Sequence, residues 1–131
     1  MIIILIVITL AGGITIYFVL HNGKNSKGPT IDDIIKTSVD ITDITTNLAG
    51  DNYIKISFKI QTDSTNAQKE LTKRDFQVKN IIIEELSDKK AQDLQGKKGV
   101  LNLEQTLKTK INQIMQDGKV VQVYVTDSLL Q

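Results

Sequence analysis

The side chains that could do chemistry are few and scattered. The chain has no cysteine and one histidine, His21. Thiol nucleophiles, disulfides, thiolate metal sites and lipoprotein acylation are therefore excluded together, and so is a His-rich metal site. Ser38, Ser57, Ser64, Ser87 and Ser128 have no base beside them in any recognisable nucleophile motif. The carboxylates of Asp32, Asp33, Asp40, Asp43 and Asp51 do not follow the spacing of a calcium loop, and they read as solvated charges. Gly23 and Gly28 have the spacing of a phosphate-binding loop, but Pro29 stands where the lysine must be and no strand precedes it. No acidic residue lies in the apolar context that raises a carboxyl pKa for general-acid work. The chain reads as a non-enzyme with no cofactor, a molecule that acts through its surfaces.

Charge narrows the partners. Sixteen basic and fifteen acidic residues leave a net charge of +1 over 131 residues. That balance gives no footprint for nucleic acid.

The elements that would carry those surfaces begin with an apolar run. Ile2 to Leu20 holds 19 residues whose only polar side chains are Thr9 and Thr15, and 13 of them are Ile, Leu, Val or Phe. A helix of that length spans roughly 28 Å, close to the hydrocarbon thickness of a bilayer. A cleaved signal peptide is the competing reading. No Lys or Arg precedes the run, and Leu20-His21-Asn22-Gly23 lacks a small-x-small cleavage site. The expectation is a retained membrane helix over residues 1–20, in contact with the lipid bilayer. Lys24 and Lys27 after the span weakly favour a cytoplasmic C-terminus by the positive-inside rule. Gly12 and Gly13 would permit close helix–helix approach in the membrane, or are simply the glycines common in such helices.

Residues 21–37 read as a linker with a short amphipathic segment. Thr30 and Asp33 have N-cap spacing, and Ile31, Ile34 and Ile35 would share one helical face. That face would bind a partner or merely cap the domain that follows.

Residues 38–131 pattern as α+β in the order β-β-α-α-β, with helices on one side of an antiparallel or mixed sheet. Val39–Leu48 loses its alternation after Ile41 and resumes at Ile44, which predicts a bulge. Ala49-Gly50-Asp51-Asn52 supplies a turn, and Tyr53–Gln61 alternates apolar and polar residues. Asn66 to Leu86 is expected as one helix whose buried stripe is Ala67, Leu71, Val78, Ile81, Ile82 and Leu86. Phe76 and Ile83 lie opposite that stripe, covered by a further element or exposed as a subunit contact. A short helix capped by Ser87-Asp88 would end at Gly96. After a Gly96–Gly99 turn, an Asn102/Gln105 capping box would open the last helix, carrying Leu103, Leu107, Ile111, Ile114 and Met115. Gly118 would stop that helix, and Lys119–Thr126 would form the final strand.

The segments NLAGDNYIKISFKIQTDS, KELTKRDFQVKNIIIEEL and KTKINQIMQDGKVVQVYVTDSLLQ together resemble the flagellar basal-body-associated FliL family. The most specific stretch is Ile111-Asn112, then Asp117-Gly118-Lys119-Val120, Val123-Tyr124, Thr126 and Gln131. The resemblance implies a single-pass cell-membrane protein with a cytoplasmic N-terminus and an extracytoplasmic domain of stomatin-like (SPFH) fold. It implies self-association into a ring, and flagellar stator proteins as partners whose torque and motility it supports, without enzymatic activity. In that picture Ile31, Ile34 and Ile35 would contact the stator. The Phe76/Ile83 face as an oligomer interface is our own assignment. The sequence departs from the family in lacking basic residues before the span and in having Ser128 where an aromatic residue is common. A ligand-binding or sensor module on a signal anchor is the alternative function.

Overall fold

Alternating isoleucines set the centre of the molecule. The structure, a computed structural model, describes residues 28–131, and residues 31–131 form one compact unit. The expected membrane helix, with Gly12 and Gly13, lies outside the described residues. Among the described residues no helix is long and apolar enough to cross a membrane.

Helix α1 (Ile31–Lys36) leads into strands β1 (Ser38–Asn47) and β2 (Tyr53–Thr62). Helices α2 (Thr65–Lys73) and α3 (Asp75–Ser87) follow, then a 3-10 turn at Ala91–Leu94, helix α4 (Gly96–Asn112) and strand β3 (Val120–Leu130). The three strands form one antiparallel sheet in the order β1-β2-β3. In β2, Ile54, Ile56, Phe58 and Ile60 all point to one face and are buried. They meet Ile41 and Ile44 of β1, Val120 and Val123 of β3, and Leu71, Val78, Ile82, Leu86, Leu103, Leu107 and Ile111 of the helices in a single core. Burial of apolar area on this scale is the main favourable contribution to folding. The other face carries polar groups, with Lys59 paired to Asp40 at 3.0 Å and Lys55 to Asp43 at 3.5 Å across β1 and β2.

The β1 bulge is present between Ile41 and Ile44, with Asp43 at φ 56°. The Asp43 N–H donates to the Ser57 hydroxyl at 2.9 Å, which explains why a polar residue is buried in mid-strand. A second irregularity, on the β3 side of β2, falls between Ser57 and Phe58. Both neighbours of the central strand therefore break step at the same place, which increases the local twist.

Several expectations are corrected. The single helix over residues 66–86 is two helices. Arg74 (φ −88°, ψ 15°) separates α2 from α3, its N–H shared between the carbonyls of Glu70 and Leu71. The buried stripe survives because the Val78 N–H still reaches the Arg74 carbonyl at 2.9 Å. Ser87 and Asp88 do not cap a helix ending at Gly96. The Ser87 hydroxyl donates back to the Ile83 carbonyl, and the 3-10 turn is capped by Asp93, which accepts from the Lys90 N–H at 2.9 Å. Gly96–Gly99 is not a turn but the first turn of α4, so Asn102 and Gln105 lie inside the helix and form no capping box. Gly99 permits this, since a Cβ there would sit 2.7 Å from the Asp93 carbonyl oxygen. Helix α4 ends at Asn112, ahead of Ile114, Met115 and Gly118. Gly118 (φ 123°) instead lets the following loop pass against Asp63 and Ala67. Finally, β3 runs to Leu130, beyond Thr126, because Tyr53 and Gln131 exchange both main-chain hydrogen bonds at 2.8 Å.

Candidate interaction surfaces

The proposed contact residues occupy two separate elements. Helix α1 is fastened to the end of β2. The Thr62 N–H and hydroxyl both donate to the Thr37 carbonyl (3.1 and 2.6 Å), and the Thr37 and Ser38 hydroxyls close the turn onto the Asp33 and Ile34 carbonyls. This pinning leaves Ile34 half-buried and Ile31 and Ile35 exposed. On α3, Phe76 is 71% exposed and Ile83 39%, one above the other at i, i+7. No other described element covers Phe76, so the exposed alternative is the one realised for that side chain.

Phe76 borders a shallow depression lined by Glu70, Lys73, Arg74, Gln77, Gln116 and Asp117. The Glu70 carboxylate organises its floor. It accepts from the N–H groups of Asp117 (2.8 Å) and Gln116 (2.9 Å), and from the Arg74 guanidinium at 2.9 Å. Arg74 also donates to the Gln77 side chain at 2.8 Å. The Asp117 N–H, with help from Gln116 and Arg74, holds the Glu70 carboxyl below the usual range against the opposing effect of partial burial. Asp63 adds a second clasp on the same loop, accepting from the Lys119 N–H at 3.2 Å.

Glu85 is the other organised carboxylate. Burial alone would push its pKa up, but Lys110 at 2.7 Å and Lys89 at 3.2 Å outweigh it and the net shift is downward. The same contact raises the pKa of Lys110. This triad ties α3 to α4. An open polar cleft adjoins it, lined by Asp88, Lys89, Gln92, Asp93, Lys98 and Asn102. Among the described residues no group of His, Asp or Glu could hold a metal ion.

Sequence reasoning missed the tail of β3. Leu129 is 52% exposed and Leu130 is exposed beside it. Ser128 helps line a small apolar slot with Ile54, Ile56, Leu94, Val100, Leu103 and Val125. A small polar residue next to two leucines at a chain end was the available signal.

The geometry defines a small α+β domain, a three-stranded antiparallel sheet covered on one face by helices, with apolar side chains presented on two of them. The family model described as flagellar basal body-associated protein FliL matches residues 38–131. The flagellar protein FliL of Bacillus subtilis (strain 168) is 46% identical over 122 residues, covering 91% of this chain and 86% of that protein. The chain belongs to the FliL family of flagellar basal body-associated proteins.

Proposed function

We propose that this chain is a non-catalytic, membrane-tethered contact module of the flagellar motor. In this reading residues 1–20 cross the cell membrane once, from a cytoplasmic N-terminus, and the domain of residues 38–131 stands on the outer face in a stomatin-like arrangement. Copies associate into a ring through the Phe76/Ile83 face. Ile31, Ile34 and Ile35 engage the stator, and the assembly supports torque and motility. The observation that supports the self-association is the exposure of Phe76 together with Ile83 on one face of α3, an apolar pair that a subunit contact would cover. The firm attachment of α1 to β2 supports the second contact, because Ile31 and Ile35 are then held out in a fixed direction.

The test is Phe76→Glu in the chromosomal copy. The domain should remain folded, within about 0.5 kcal/mol of the parent as for ordinary surface changes. Flagella should still assemble while swimming in viscous medium is impaired and the subunits no longer co-purify. Unfolding of the variant would make Phe76 a structural residue and remove the interface. The polar cleft at Asp88–Asn102 gives the sensor alternative a concrete site. A small molecule that raised the melting temperature, with the effect lost in Lys98→Ala, would favour that alternative.

A further inference from the structure

The edges of the sheet are closed by three different devices, with one gap. Along β1 the bulge and the aspartates at 40 and 43 interrupt the edge. Along the first half of β3, side chains of α4 take the place of a neighbouring strand. The Asn112 amide accepts from the Val120 N–H at 2.7 Å and donates to the Val120 carbonyl at 2.9 Å, and Glu104 accepts from the Val125 N–H at 2.9 Å. Beyond Val125 no such group follows among the described residues. Tyr53 and Gln131 exchange both main-chain bonds. The register then makes Leu129 and Asp127 bond to β2, so the amides of Ser128 and Leu130 face away from the sheet.

We propose that residues 127–130 form a self-pairing edge, through which two copies join antiparallel about a two-fold axis at Leu129. The proposal does not rest on the α3 contact or on the stator reading. The register is chosen by three observations. Centred on Leu129, Ser128 lies opposite the partner's Leu130 and the reverse, so the outward amides and carbonyls of both copies are all paired, in four main-chain hydrogen bonds. Ser128 and Leu130 share the face of Ile56 and Ile54. The partner's Leu130 is thereby placed beside Ser128, over the slot lined by Leu94, Val100 and Leu103. Leu129, on the opposite face, meets its own symmetry mate. The neighbouring registers are worse. Centring on Asp127 sets two carboxylates face to face, and centring on Ser128 sets Asp127 against an exposed leucine. In the Leu129 register Asp127 meets the Gln131 side of the partner. The product joins two three-stranded sheets into one of six strands.

The absence of cysteine makes the test clean. The full chain carrying Leu129→Cys, oxidised in membranes, should give a disulfide-linked dimer, because opposed positions on an antiparallel pair have Cβ atoms about 5 Å apart. Asp127→Cys alone should not couple, but should couple when produced together with Gln131→Cys. Ser128→Pro removes an N–H that the chain's own sheet does not use. Added to Leu129→Cys, it should reduce the yield of linked dimer on the order of thirtyfold. Leu130→Lys, at an exposed position, should do the same by setting an ammonium over the apolar slot. Four results would overturn the pairing: Leu129→Cys remaining monomeric, coupling no stronger than at the exposed helix position Gln105→Cys, insensitivity to either the proline or the lysine change, or an adduct of another mass, which would assign the edge to a foreign strand.

Discussion

At the scale of single residues, two carboxylates and a glycine hold the α4–β3 loop in place. Glu70 is held in the native state as an anion, so its pKa is depressed by the Asp117 and Gln116 N–H groups and by Arg74. Its contribution to stability is therefore present above the ordinary carboxyl value of 4.5 and is lost as pH falls through the lower, folded value. Glu70→Gln should lower the melting temperature at pH 7 and flatten the dependence of stability on pH below 4.5. Faster amide exchange at Gln116 and Asp117 would localise the effect. Gly118→Ala should destabilise by about 1–3 kcal/mol, as expected when a side chain is forced to positive φ. Its Cβ would also lie 2.5 Å from Asp63 Oδ1. Denaturant unfolding of the variant measures this directly.

Helices and strands show how much of the architecture their own residues announce. The β1 bulge was legible because a lost alternation has one local cause, an extra residue. β2 was legible because its isoleucines alternate without a break. The division at Arg74 was not, since neither Gly nor Pro marks it and the contact made beside it, Glu70 with the loop at Gln116 and Asp117, is distant in sequence. The early start of α4 was hidden too, because Gly96 and Gly99 read as a turn until the 3-10 segment that Gly99 packs against is known. At the end of α4 the Asn112 side chain pairs with the Val120 main chain, a contact that helical periodicity does not reveal. Among the contact residues, Phe76 and Ile83 could be found from helical phase, whereas Ser128-Leu129-Leu130 offered only a signal in composition, because exposure of a strand edge depends on what covers it. One prediction belongs at this scale. Lys110→Met should loosen α3 from α4 by leaving Glu85 with Lys89 as its remaining cation, so the Glu85 pKa should rise and stability near neutral pH should fall. Carboxyl titration by NMR would report the first and thermal unfolding the second.

At the scale of the whole domain, the decisive property is that its core faces one side of the sheet, so that among the described residues the opposite face, Ile31 and Ile35 of α1 and Phe76 on the outer side of α3 are exposed. If the motor role is correct, the contacts should be separable. Ile31→Asp with Ile35→Asp should weaken motility while self-association persists, whereas Phe76→Glu should reduce self-association itself. Swimming speed under viscous load and the size of the solubilised assembly are the two readouts. Equal loss of both in both variants would mean one shared interface.

The mutual bonding of Tyr53 and Gln131 also constrains synthesis. The middle strand gains its second neighbour only from the final segment, so a nascent chain carries a half-finished ladder while the intervening helices are translated (roughly several seconds at ordinary elongation rates). Closing so distant a pair is slow, and until then a row of isoleucines lies next to an unoccupied edge. Folding should therefore be rate-limited by the arrival of β3, with a premature stop anywhere in that strand leaving an aggregation-prone remnant rather than a slightly weakened domain.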